Sequence, residues 1–253
     1  MDKKIIEAIQ NNEIGCAIQK ILNVESGKKD KCEILARLKV DGQSITPDIF
    51  IPLAKKANVY KYITRSVIEK SFAYMAKEEE IKEFSINLNM LDINNDDTIK
   101  YLIDKISYFH LQKKIVIELT EDEELTKELE PEADGKKRGI AKVHEVMDEL
   151  HKMGCKFALD DFGKGYATFD PLINLKFDYI KLDAVLTKEF LKDGRKFYMI
   201  NLLSEYSKRL GLSIVAEYIE TEDEYKAMDY MKVDYLQGYY IDKPKLIETR
   251  VQF

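Results

Sequence analysis

Short apolar runs alternate along this chain with stretches whose apolar residues recur at helical spacing. Ile5, Ile6 and Ile9 share one side of a short amphipathic helix within residues 1–14. Two strand-like runs follow, Cys16 to Asn23 and Cys32 to Val40, joined by a link too short for a parallel crossover, so these strands should run antiparallel. Thr46-Pro47-Asp48 opens a helical pattern that reaches Glu80, with a break near Ala57-Asn58. The pattern then predicts strands at Phe84 to Asn89 and Ile115 to Leu119, with an amphipathic helix from Asp96 to Phe109 between them. A helix over Ala141 to Lys152 leads to a strand through Phe157, Ala158 and Leu159. Three more strands are predicted at Asp178 to Asp183, Leu212 to Ala216 and Val233 to Gly238. Helix fills most of Asp183 to Leu210 and ends at Gly211, and another helix starts at Thr221.

Eight strands alternating with helices over 253 residues have the size and order of a (β/α)8 barrel, an α/β fold, with the first strand antiparallel to the rest. Residues 1–253 read as one barrel domain carrying a charged insertion near 122–139, which contains Pro131, Gly135 and Gly139.

The polar positions gain meaning from that architecture. The C-terminal strand ends of such a barrel converge on one mouth. Glu118, Asp160, Glu217 and Gln237 each close a predicted strand, and the two-residue period lets Glu33, Arg37, Asn87 and Lys181 face inward. Leu35 shares its face with Glu33 and Arg37, Asn89 is placed beside Asn87, and Asp183 beside Lys181. Taken singly, Asp160-Asp161 before two glycines is as readily a solvated turn as a cation site, and Glu33 with Arg37 as readily a surface pair. Collected in one mouth, they are better explained by two hard divalent cations binding a phosphate ester. His144 and His151 lie on one helix face without a metalloprotease motif and read as helix surface.

Composition narrows the partners. A net charge of −6 leaves no bulk field to steer a nucleic-acid polymer, so an anionic substrate must be met by local cations. Cys16, Cys32 and Cys155 are widely spaced, show no zinc-ligand pattern, and are expected to be reduced and buried, as in a cytoplasmic protein. No apolar run has the length of a membrane span, and the first residues lack the apolar core of a signal peptide.

In order, Glu33-Ile34-Leu35-Ala36-Arg37, Asn87, Glu118-Leu119-Thr120-Glu121, Asp160-Asp161-Phe162-Gly163, Lys181-Leu182-Asp183, Glu217 and Gln237-Gly238-Tyr239 resemble the motifs of the EAL family of cyclic di-GMP phosphodiesterases, over nearly the whole chain. The resemblance implies hydrolysis of cyclic di-GMP to linear pGpG with two Mg2+ or Mn2+ ions. Glu33, Asn87, Glu118 and Asp160 would hold the first ion, and Asp160, Asp161 and Glu217 the second. Lys181 would orient the attacking water, with Glu217 either ligand or general base. Arg37 would contact substrate phosphate, Gln237 water or substrate, and Gln19 the substrate side. Glu121 would support the loop after Asp161, which in the family also contributes a homodimer contact.

Several positions depart from the family pattern. Lys164 stands where a small residue is usual, Ala167-Thr168 where two serines are usual, and Tyr218 where glycine is usual; Lys20 replaces the proline after Gln19. One rival reading is an EAL-type receptor that binds cyclic di-GMP without cleaving it, though no metal ligand is missing. Another is an unrelated barrel enzyme using a metal and a lysine on an enolate, which strand-end acids alone would allow. A kinase reading of Asp161-Phe162-Gly163 fails for want of a glycine-rich nucleotide loop and a His-Arg-Asp segment.

Overall fold

A computed structural model describes residues 1–120, 125, 138–164 and 169–247. Helix α1 (Asp2–Gln10) precedes strands β1 (Ile14–Asn23), β2 (Lys31–Val40) and β3 (Gln43–Ile45). Helices α2 (Pro47–Lys56) and α3 (Tyr60–Met75) meet at the expected break and lead to β4 (Glu83–Leu88). Next come α4 (Met90–Ile93), α5 (Asp96–Tyr108), β5 (Ile115–Thr120), α6 (Arg138–Lys152) and β6 (Lys156–Phe162). The remainder is α7 (Asp170–Asn174), β7 (Tyr179–Leu182), α8 (Ala184–Thr187), α9 (Gly194–Leu210), β8 (Ser213–Ala216), α10 (Glu222–Tyr230), β9 (Tyr235–Leu236) and β10 (Lys245–Leu246).

Strands β2, β4, β5, β6, β7, β8 and β9 pair in parallel in that order. Strand β1 closes the circle, antiparallel to both β2 and β9. The fold is thus the eight-stranded barrel with one reversed strand, while β3 and β10 pair outside the ring. Glu121, Ala167, Thr168 and most of the insertion near 122–139 lie outside the described residues.

The two-residue strand period sorts the barrel interior into layers. At the N-terminal end, Lys31, Glu83, Lys156 and Tyr179 begin β2, β4, β6 and β7. Glu83 accepts from Lys31 at 2.7 Å, Lys156 at 2.5 Å and Tyr179 Oη at 2.7 Å. Two residues further along, Ile21, Val116, Ala158 and Val215 pack as an apolar layer with Tyr179. Two further still stand Asn87, Glu118, Asp160, Lys181 and Glu217. The larger core lies outside the ring, where Ile34, Ile86, Ile117, Leu159, Ile180 and Ile214 pack against the helices.

Three placements correct the sequence expectations. Asn89 lies beyond β4 as the N-cap of α4, its side chain accepting from Asp92 N at 3.2 Å. Asp183 likewise caps α8, accepting from Val185 N at 2.8 Å, and so does not share a strand face with Lys181. In both cases the side chain satisfies a helix's free amide, which strand alternation does not anticipate. His151 is not bare helix surface: its Nε2 lies 3.3 Å from Asp178 Oδ2, which also accepts from Phe157 N. His144 is exposed, as expected.

The last barrel strand depends on Gly238. A Cβ there would lie 2.2 Å from Ile219 O and 2.3 Å from Ile219 N. That contact lets Ile219 N donate to Gln237 O at 3.0 Å and fixes Gln237 at the mouth. Gly238→Ala should cost about 2 kcal/mol through overpacking against backbone, seen in thermal unfolding as a melting temperature lowered by roughly 5 °C. An unchanged melting temperature would show that the approach of the two segments relaxes freely.

Candidate functional site

Lys181 is the centre of the mouth. Only 2% exposed, its ammonium lies 2.8 Å from Glu118 Oε2, 3.0 Å from Asp160 Oδ1, 3.0 Å from Glu217 Oε1 and 3.4 Å from Glu33 Oε2. Each partner comes from a different strand or strand end, so the cluster exists only once the barrel has closed.

Asp161 reaches the same mouth by an irregularity. Strict alternation would turn Asp160 and Asp161 to opposite faces. The register between β6 and β7 runs from Leu159↔Ile180 to Phe162↔Leu182, setting the two aspartates against Lys181 alone. This β-bulge, with Asp161 at φ +59°, re-aims the second carboxylate into the mouth. Oxygens of Asp160, Asp161 and Glu217 consequently lie within 4.8 Å of one another.

A net of amides holds the other side. Asn87 Nδ2 donates to Glu33 Oε1 at 3.0 Å, and Gln237 Nε2 to Glu33 Oε2 at 2.7 Å and Gln19 Oε1 at 3.2 Å. Gln19 in turn donates to Asp242 O at 3.0 Å. Both Gln19 and Gln237 are buried; Gln237 holds Glu33 directly, and Gln19 acts on it only through Gln237. Arg37 is half-buried, donates to Ala36 O at 2.8 Å, and lines a cleft of ≈ 430 Å³ that opens on Glu33, Asp160 and Glu217. The structure thus brings together every described residue the sequence nominated; Glu121 lies outside the described residues.

Three cleft residues were missed. Lys188 lies 4.9 Å from the centre of the Tyr218 ring, and both line the cleft with Tyr239. They come from loops between elements, where no periodicity points to them; the sequence signals were Tyr in place of Gly at 218 and the aromatic after Gln237-Gly238. Tyr218 holds φ +58°, a backbone conformation that costs a bulky residue.

The electrostatics are unbalanced. Burial would drive a proton off Lys181, but Asp160, Glu118, Glu217 and Glu33 hold it charged, its pKa well above the ordinary value. Burial would raise Glu33, yet Lys181 and the Gln237 and Asn87 amides bring it below its usual range. Glu118 is raised by burial and the Glu33 charge, and Asp160 by burial against the pull of Lys181. Glu217 is pushed up to about 8, chiefly by burial and with the charges of Asp160 and Glu33 adding to it, while Lys181 opposes. Four carboxylates face one buried ammonium, and buried Asp160 Oδ1 and Gln237 Oε1 lack a well-aligned hydrogen-bond partner. An all-oxygen donor set with surplus negative charge fits hard divalent cations.

The EAL domain family model matches residues 2–244. A probable cyclic di-GMP phosphodiesterase of Escherichia coli (strain K12), PdeA, is 30% identical over 242 residues, 94% of this chain and 31% of that protein. The cyclic di-GMP phosphodiesterase PdeL of the same organism is 29% identical over 245 residues, covering 94% of this chain and 64% of the relative. The chain therefore spans about a third of PdeA and under two thirds of PdeL. Among solved structures, an EAL domain protein from Listeria monocytogenes EGD-e superposes with TM-score 0.84 at 24% identity, covering 96% of this chain and 93% of the other. The FimX EAL domain from Pseudomonas aeruginosa, bound to c-di-GMP, gives 0.83 at 20% identity, covering 96% of each chain.

Glu217 sets a pH dependence. Its carboxyl, raised to about 8, keeps a proton in the folded metal-free chain that the unfolded chain has lost, so stability should fall as pH rises from the usual carboxylate range through about 8. A divalent cation needs that carboxylate free, and the raised Glu118 beside it as well, so Mn2+ binding at pH 7 should release protons, part of them from Glu217. Calorimetric titration in two buffers of different ionisation enthalpy measures the release; identical heats, or a release undiminished in Glu217→Gln, would contradict it.

Proposed function

The chain belongs to the EAL domain family, and on that premise we propose that it hydrolyses one 3',5'-phosphodiester of cyclic di-GMP to linear pGpG. The observation that carries this reading is the buried Lys181 ringed by Glu33, Glu118, Asp160 and Glu217 at the barrel mouth, with Asp161 turned in beside them. It supplies the described ligands expected of the family, beside a cleft wide enough for a nucleotide.

In this reading Glu33, Asn87, Glu118 and Asp160 would hold one divalent cation, and Asp160, Asp161 and Glu217 the second. When bound, the two cations would lower the pKa of an attacking water and neutralise charge on the phosphoryl oxygens. Lys181 orients that water and keeps the surrounding carboxylates in register. Arg37 and Lys188 supply the local positive charge that a chain of net charge −6 otherwise lacks for an anionic substrate. Tyr218 and Tyr239 offer ring faces at the cleft on which a purine can stack. The closeness of Glu217 to both aspartates favours its role as ligand.

The three cysteines are buried and unpaired, with burial pushing the Cys16 and Cys32 thiols up to about 12, which accords with a cytoplasmic setting. Ile173 on α7, Val185 on α8, and Tyr198 and Leu202 on α9 are exposed apolar residues on the elements that follow the Asp161 loop. They support a homodimer through that side. Analytical ultracentrifugation should find a dimer that Leu202→Asp converts to monomer; a monomeric parent chain would refute the contact.

Incubation of cyclic di-GMP with the chain and Mn2+, followed by chromatography, should yield the linear dinucleotide. Lys181→Ala and Glu118→Gln should each lower kcat by about 100-fold or more, the scale of losing preorganised charge at a reacting centre. Full turnover in either variant would overturn the assignment. The pairing of Lys164 with Asp161 favours a second reading, a receptor, which would show binding of cyclic di-GMP with no linear product.

A further inference from the structure

The ammonium of Lys164 sits on one of the carboxylates assigned above to the second cation. Lys164 Nζ lies 2.9 Å from Asp161 Oδ2, across a turn closed by Lys164 N donating to Asp161 O at 3.1 Å. The turn has little room to open. Gly163 has φ +102°, and a Cβ there would lie 2.8 Å from Leu186 Cδ1, so the turn is pressed against α8 and keeps position 164 within reach of Asp161. Asp183 and Tyr218 are the other titratable groups whose fields reach this ammonium.

The two halves of the site therefore meet different internal cations. Among the described residues, the ion pairs of Glu33 and Glu118 are made with Lys181, which is buried and shared with Asp160 and Glu217. Asp161 instead pairs with Lys164, whose side chain is 60% exposed and makes no other ion pair among the described residues. A divalent cation bound by Asp161 must either displace that ammonium into solvent or tolerate its like charge at close range.

We propose that Lys164 is an internal counter-cation for Asp161 that competes with the second divalent cation, so that this chain binds its second cation more weakly than its first. The inference rests on the two-cation reading and concerns affinity rather than chemistry. A chain that carries every described ligand would then still need more metal to fill both sites than one without this pair. An exposed pair of this kind shifts an equilibrium by up to about fivefold.

The test is a Mn2+ titration of the whole chain, followed by calorimetry and by the electron paramagnetic resonance of coupled Mn2+ pairs, in the parent, Lys164→Met and Lys164→Glu. The parent should show a strong and a weak class of sites. Lys164→Met should tighten the weak class by about fivefold and leave the strong class unchanged, and Lys164→Glu should tighten it further. Weak sites unchanged in both variants, or both classes tightened alike, would overturn the competition while leaving the two-cation site standing. Absence of Mn2+ binding in all three proteins would overturn the two-cation reading and the competition with it. Position 164 is mostly exposed, so none of these changes threatens the fold.

Discussion

The structure depends on keeping one lysine charged where it is almost wholly shielded from solvent. Lys181 is 2% exposed, and moving an ammonium to such a place costs several kcal/mol unless its charge is met. Glu33, Glu118, Asp160 and Glu217 meet it from four other segments of the ring. The dependence runs both ways, because without Lys181 the carboxylates would confront one another at close range. Folding and site assembly are thus one event: no pair of neighbouring strands satisfies these groups, and only the closed barrel does.

Two acids away from the mouth, set beside the mouth itself, show how charge ratio separates structural from chemical roles. Glu83, at the opposite end of the barrel, is met by two lysines and a tyrosine hydroxyl, so nothing there calls for a further ion. Asp92 is pushed up to about 6 by burial and is satisfied by Thr64 Oγ1 at 2.8 Å and by Asn89 N at 3.2 Å, which ties α4 to α3. The mouth is different: its acids outnumber its cations and some of its buried oxygens lack a well-aligned partner. Strand alternation built both ends by the same rule, with Glu83 and Asn87 on β4, Lys156 and Asp160 on β6, and Tyr179 and Lys181 on β7. What differs is the balance of charge in each layer.

That rule also marks how far the sequence could be read. Residues inside strands, such as Glu33, Leu35 and Arg37, were placed correctly because their orientation follows from a period of two. Asn89 and Asp183 were misplaced because they stand one residue past a strand, where a free helix amide claims a short polar side chain. His151 was misread because its partner Asp178 lies 27 residues away, and pairing at that range leaves no local pattern. Asp161 was nominated without its cause: a bulge lets two consecutive aspartates serve one mouth, and tandem acids before Gly163 were the only hint of it. Lys188 and Tyr218 sit where no period operates.

The same distinction divides the site itself. Glu33 and Glu118 lie within β2 and β5 with ladders on either side, and Asn87 lies within β4 opposite Glu118. Asp161 lies in the bulge at φ +59°, and Glu217 follows the last residue of β8, next to Tyr218 at φ +58°. Strained backbone of this kind persists only where the surroundings enforce it, and such positions gather at sites of function. A substitution at these strand-borne positions therefore disturbs barrel and site together. A substitution around Asp161 and Glu217 can alter charge and turn geometry while the ladders stay intact. The half of the mouth assigned to the second cation is accordingly the half that a chain of this fold can retune without unfolding, and it is there that Lys164 and Tyr218 occur.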